Sequence, residues 1–90
     1  VLAKKDWPTH VYDGSLVMGN LMLAAHELGI GSCWIHRAKE VFEGEEGRRL
    51  LKEWGIEEGY EGIGNVIIGF ADGKAPEAAP RLDQREITIE

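Results

Sequence analysis

Asp13 to Trp34, DGSLVMGNLMLAAHELGIGSCW, decides how the rest of the chain is read. It spells a helix, a glycine-marked exit and a strand that leaves directly from that exit. Asp13 and Ser15 supply oxygens suited to capping a helix start. Leu16, Val17, Met18, Leu21, Met22, Leu23, Ala24, Ala25 and Leu28 then cover most of the helix circumference, not one stripe. A helix apolar nearly all round is expected to be buried on several sides, in a core or at a subunit interface. Gly19 costs helix propensity relative to alanine, so it is expected to mark the close approach of a neighbouring element. Gly29 is placed as the residue just past the helix end, giving a helix over 13–29. Ser32-Cys33-Trp34-Ile35 follows as a short β-prone run, read as a strand over 32–36.

The body available to bury such a helix is small. Ninety residues make one small domain at most, and 43% of them are hydrophobic, a globular composition. Either a partner chain completes the core or the chain is part of a larger domain. The opening Val1-Leu2-Ala3, with no initiator Met, favours a fragment or a processed piece. The formal charge of −6 argues against nucleic acid, where a basic face supplies most of the affinity, and against an anionic membrane surface. No apolar run reaches spanning length, and no basic-then-apolar leader precedes a cleavage site. The single cysteine, Cys33, leaves no internal disulfide framework, so the cytoplasm is the expected compartment.

Outward from the central stretch, Val1 to Lys5 reads as a strand end closed by Asp6-Trp7-Pro8, and Thr9-His10 as a loop. A short helix or turn is expected near 38–43, then an acidic cap at Glu45-Glu46 and a helix to about Trp54, with Gly55 past its end. Glu57 to Gly62 reads as a polar loop. Gly64-Asn65-Val66-Ile67-Ile68-Gly69-Phe70 is a dense strand-like run, expected to be buried on both faces or nearly so. Residues 1–73 hold these core elements, and Ala71-Asp72-Gly73 ends them with turn chemistry. Residues 74–90 are an extended arm in which Ile87-Thr88-Ile89, flanked by Glu86 and Glu90, is a candidate edge strand, on this chain or a partner. The element order predicts a mixed sheet with helices, of α/β or α+β class.

Candidate chemistry is thin. Cys33 is followed by His36, but positions three apart on a strand point to opposite faces, so the two are poorly placed to pair. A buried structural thiol is the preferred reading of Cys33. His10, His26 and His36 are too scattered for a metal site, and His26 reads as a hydrogen-bonded core or interface residue. Glu40, Glu43, Glu45 and Glu46 read as solvated or capping groups. Gly29-x-Gly31 follows a helix, the reverse of the strand-to-helix order of a dinucleotide site. Arg81, after Pro80, is either a bidentate phosphate clamp or a solvated arm residue.

The ordered set Asp13-Gly14-Ser15-Leu16, Leu21 through Ile35, Leu50-Leu51, Gly55-Ile56, Val66 to Phe70 and Pro80-Arg81 closely resembles the nitroreductase family of flavoproteins. In that family a long central helix often ends in an Ala-Ala-x-x-Leu-Gly-Leu-Gly-Ser/Thr-Cys-Trp-Ile-like pattern. The resemblance implies an α+β fold, a mixed sheet flanked by helices around a long buried central helix, with an extended C-terminal arm. It implies bound FMN, NADH or NADPH as electron donor, and nitroaromatic, quinone or similar small-molecule acceptors. It also implies a homodimer in which the helix lies at the interface and the arm embraces the other subunit. No side-chain nucleophile is required, because the flavin carries the redox chemistry. By position, Cys33, Trp34, Ile35, His36 and Arg37 would run beside the isoalloxazine ring, largely through backbone N–H groups near N5 and O4. Arg81 would grip the FMN phosphate.

The chain departs from the family pattern at three points. His36-Arg37 stands where many members have small or acidic residues, and neither Ala79 nor Leu82 supplies a second basic residue beside Arg81. Members are also about twice as long, the size of a typical single domain. The chain is therefore expected to be the C-terminal half, without the N-terminal phosphate-binding and Asn-containing flavin segments. The competing readings are a flavin-binding module without turnover and a dimerisation domain that has lost the site.

Overall fold

The computed structural model describes residues 1–83, 85 and 87–89. In chain order its elements are β1 (Leu2–Lys4), α1 (His10–Glu27), β2 (Gly31–Ile35), α2 (Ala38–Glu43), α3 (Glu45–Glu53), β3 (Tyr60–Gly62) and β4 (Asn65–Gly69). The class is α+β, but the strands do not form one mixed sheet. β1 pairs antiparallel with β3, and β2 pairs antiparallel with β4, giving two separate two-stranded sheets among the described residues.

The helix α1 begins three residues earlier than the sequence reading placed it. Thr9 is the N-cap, and Asp13 and Ser15 already lie inside the helix. Their side chains bond within the first turns: Thr9 Oγ1 donates to Asp13 Oδ2 at 2.9 Å, and Ser15 Oγ donates to the Val11 carbonyl at 2.7 Å. The capping reading failed because Asx and Ser side chains bond back to the helix as readily as they cap it. The exit is as expected. Gly29, at φ +75°, donates its N–H to the His26 carbonyl at 2.9 Å, and Ile30 N–H reaches the Ala25 carbonyl at 2.8 Å. These are the two bonds of a Schellman ending, which requires a left-handed residue and so favours glycine. The same geometry ends α3, through Gly55 N–H to Lys52 and Ile56 N–H to Leu51.

The burial of α1 corrects a second expectation. Gly14, Met18 and Ala25 are its only buried positions among the described residues, a narrow stripe facing the rest of this chain. Leu16, Val17, Leu21, Leu23 and Leu28 are exposed. The apolar circumference is real, but this chain covers only part of it. Gly19 has nothing within 4 Å of where its Cβ would stand; the close approach occurs one turn and a residue earlier, at Gly14 against Ile63. Gly64 is another tight point, close to both the Met18 methyl and the Trp34 indole.

The stretch read as a polar loop contains β3. Its register is Leu2↔Gly62, Ala3↔Glu61 and Lys4↔Tyr60, and Lys5 N–H to Gly59 and Ile63 N–H to Val1, both 2.9 Å, extend the ladder. Of Tyr-Glu-Gly only the tyrosine favours a strand, and pairing with β1 supplies the rest. β4 is not buried on both faces: Ile67 and Ile68 are exposed in this chain, as is Phe70 beyond its end. α2 and α3 meet at a tight corner, where Gly47 lies close against the Val41 carbonyl, and Phe42 packs at 6.2 Å and 54° on Trp54, the C-cap of α3. From Phe70 onward the described residues form no helix or strand. Ile87, Thr88 and Ile89 are therefore not an edge strand of this chain, and their flanking residues Glu86 and Glu90 lie outside the described residues.

Candidate functional site

Five of the six residues singled out from the sequence lie in one run at the end of β2. The register of the β2–β4 pair sets which way each side chain points. Directly opposed residues share a face in an antiparallel pair, and the faces alternate along each strand. Gly31, Cys33 and Ile35 therefore share one face with Gly69, Ile67 and Asn65, while Ser32 and Trp34 share the other with Ile68 and Val66. The alternating exposure along β2 matches this division. Trp34 turns inward, where its indole lies against Gly64, which also contacts Met18 of α1. Its Nε1 is buried with no hydrogen-bond partner among the described residues.

The outward face is thin. Glycine stands at both ends of its first opposed pair, Gly31↔Gly69, and Cys33 is paired with Ile67. Gly31, Ser32, Cys33, Ile67, Ile68, Gly69, Phe70 and Ala71 line an open depression of about 330 Å³ over this part of the sheet. Cys33 is exposed there and not a buried thiol. Its Sγ lies 3.6 Å from the Trp34 carbonyl, a weak contact that holds no base beside it. Because the sheet has two strands, β2 keeps one free edge, and alternate backbone N–H groups along it have no ladder partner among the described residues.

His36 and Arg37 follow the strand end. Arg37 is the only non-glycine residue with positive φ among those described, at +73°, and is the N-cap of α2. A side chain in that region costs roughly 1–2 kcal/mol, so the chain holds a strained arginine two residues past the end of β2 at Ile35. Its carbonyl accepts from Val41 N–H at 3.1 Å, which ties the strained turn to the helix. Arg81 is exposed in the segment without regular structure, and the fold does not join it to the β2 run by any described contact. His26 is exposed on α1, not a core histidine.

What the sequence reading missed here is the contribution of β4. The apolar run suggests buried strand residues at Ile67 and Gly69, yet they complete the outward face with Cys33. Only the register reveals this, because a continuous apolar run does not state which residues lie outward. A larger hollow of about 440 Å³ lies at the other sheet, lined by Leu2, Gly55, Ile56, Glu57 and Tyr60. None of the six residues singled out from the sequence lines it, whereas Cys33 lines the depression at β2–β4. Among the described residues no group of three or more His, Cys, Asp or Glu side chains converges on a metal position. No helix among them is long and apolar enough to cross a membrane.

The model of the Nitroreductase family matches residues 2–70. A solved structure of a nitroreductase from Bacteroides fragilis with bound FMN superimposes with a TM-score of 0.81 at 27% sequence identity. The superposition covers 98% of this chain and 47% of that one, so the chain spans about half the length of that relative. No curated protein matches the sequence.

Proposed function

Because this chain belongs to the nitroreductase family, we propose that it is the C-terminal half of an FMN-dependent NAD(P)H oxidoreductase. Such an enzyme would reduce nitroaromatic, quinone or similar small acceptors through bound flavin. The observation that carries the proposal is the outward face of β2–β4, thinned by Gly31 and Gly69 and bordered by the free edge of β2, in a fold similar to an FMN-bound nitroreductase. A flat ring system needs that kind of surface: little side-chain bulk, apolar contacts from Cys33 and Ile67, and unpaired backbone donors at its border. FMN would supply the electron-transfer chemistry itself.

The residues then divide by task. Backbone N–H groups along the free edge of β2, from Cys33 to Ile35, would hold the ring, with Trp34 anchoring the strand from behind. His36 and Arg37 would border it at the α2 end, where the fixed αL turn aims the following N–H groups. Arg81 would meet the phosphate, for which a guanidinium offers two parallel donors. The exposed apolar side of α1, carrying Leu16, Leu21 and Leu23, would be covered in a homodimer, and the arm from Lys74 onward would wrap the other subunit. The lone Cys33 suits a reducing cytoplasm.

The test is a visible absorption spectrum of the purified chain after incubation with FMN and size-exclusion chromatography. Co-elution of the flavin band, followed by its bleaching with NADH or NADPH, is the expected result. Flavin retained but bleached by neither nicotinamide would instead favour a binding module without turnover. Absence of retained flavin at saturating FMN, with and without an added N-terminal half, would remove the cofactor from the reading.

A further inference from the structure

We propose that His10, Glu61 and Lys39 form a proton-dependent clasp. It holds the first turn of α1 against β3 and α2 most tightly while the imidazole is doubly protonated, and weakens when the proton leaves. The group lies apart from the β2–β4 face and plays no part in the reading given above.

Its geometry is specific. His10 Nε2 lies 2.8 Å from Glu61 Oε2, and His10 Nδ1 lies 2.8 Å from the Trp7 carbonyl oxygen. Glu61 Oε1 receives Lys39 Nζ from α2 at 3.7 Å. The His10 and Glu61 side chains are only 19% and 14% exposed, whereas Lys39 is 56% exposed. The carbonyl of Trp7 can only accept, and so can an ionised carboxylate. Both ring nitrogens must therefore donate, which requires the imidazolium. A neutral ring can donate from one nitrogen only, so losing the proton sets a lone pair against one acceptor and gives up that contact.

The charged groups facing the ring are Glu61 from β3 and Asp13 from its own helix, while the β1–α1 turn contributes the Trp7 carbonyl. The hydrogen bond to Glu61 raises the His10 pKa above 6.5 and the Trp7 carbonyl raises it further; burial lowers it by less than either, and the negative charges of Glu61 and Asp13 raise it by smaller amounts still. The position at the first turn of α1 would by itself disfavour a cation, since helix N-termini are positive. The carboxylates overcome that bias.

The weakening matters because of what lies next along the same helix. One turn on, Gly14 packs against Ile63, and a turn beyond that Met18 packs against Gly64, whose other close neighbour is the Trp34 indole. Glu61 is two residues before Ile63, so the clasp pins both sides of this contact at its open end. Raising the pH is expected to loosen the corner and change the surroundings of Trp34.

The sign follows from linkage. A group with a raised pKa in the folded state contributes its full stability below its unfolded pKa, and loses it as pH rises through the folded pKa. Stability should therefore decline from about pH 6.5 upward, in the range where histidine titrates. The test titrates the ring C–H signals of His10 by NMR in the full chain, which needs no substitution, and compares urea midpoints at about pH 6 and about pH 9 for the unsubstituted chain, Glu61→Gln and His10→Gln. The expected result is a His10 midpoint above 6.5 that falls in Glu61→Gln, with a urea midpoint that drops with pH more in the unsubstituted chain than in His10→Gln. A His10 midpoint at or below 6.5, or the same pH dependence in both chains, would overturn the clasp.

Discussion

Two glycines on one helix should respond to the same substitution with opposite signs. At Gly14 an added Cβ would stand 2.5 Å from Ile63 Cγ1, 2.8 Å from Cγ2 and 2.9 Å from Cβ. Ordinary carbon contacts are about 3.5–4.0 Å, so Ile63 must retreat by roughly 1 Å. Rotating its side chain does not help, because its own Cβ is among the atoms struck. Overpacking of this kind costs about 1–3 kcal/mol, and alanine returns about 1 kcal/mol of helix propensity. Taking the middle of that range, Gly14→Ala should lose about 1 kcal/mol net. At Gly19 nothing lies within 4 Å of the new methyl, so Gly19→Ala should gain about 1 kcal/mol. The gap of about 2 kcal/mol corresponds to urea midpoints separated by roughly 2 M at a slope of about 1 kcal/mol/M, read by circular dichroism. Equal midpoints for the two variants would refute the packing argument at Gly14. A Gly19→Ala variant less stable than the unsubstituted chain would show that something outside this chain rests on Gly19.

Three further outcomes test other parts of the structure. Arg37→Gly removes the only described side chain from positive φ; the relief of about 1–2 kcal/mol, less about 0.5–1 kcal/mol for glycine's extra unfolded freedom, should raise the melting temperature. Leu21 is 45% exposed in this chain, so Leu21→Asp should keep the helical signal in circular dichroism while shifting the chain to monomer in size-exclusion chromatography. Loss of helicity instead would place Leu21 in this chain's own core. Arg81→Ala should weaken FMN binding by about 1.5–3 kcal/mol, the scale of a charge-assisted hydrogen bond; an unchanged titration would remove Arg81 from the phosphate.

Local features of this chain were legible in the residues alone. Gly29 and Gly55 announced helix ends because only glycine takes φ near +70° without strain, and both end their helices that way. Dense β-branched and aromatic residues marked β2 and β4, and the acidic Glu45-Glu46 pair marked the start of α3. The family pattern around Cys33 was legible for the same reason, since it is a string of local requirements: a helix, its glycine exit and the strand that follows.

What depended on tertiary placement was not legible. β3 exists because β1 lies beside it, and little in Tyr60-Glu61-Gly62 alone calls for a strand. The division of β2 and β4 into an outward Cys33–Ile67 face and an inward Trp34–Val66 face follows from a register that one residue of slip would reverse. His10 and Glu61 are 51 positions apart and meet only when α1 and β3 pack. Periodicity told how much of α1 is apolar but not what covers each side. Composition reports a residue's affinity for water, whereas burial also depends on the elements, in this chain or another, that arrive to cover it.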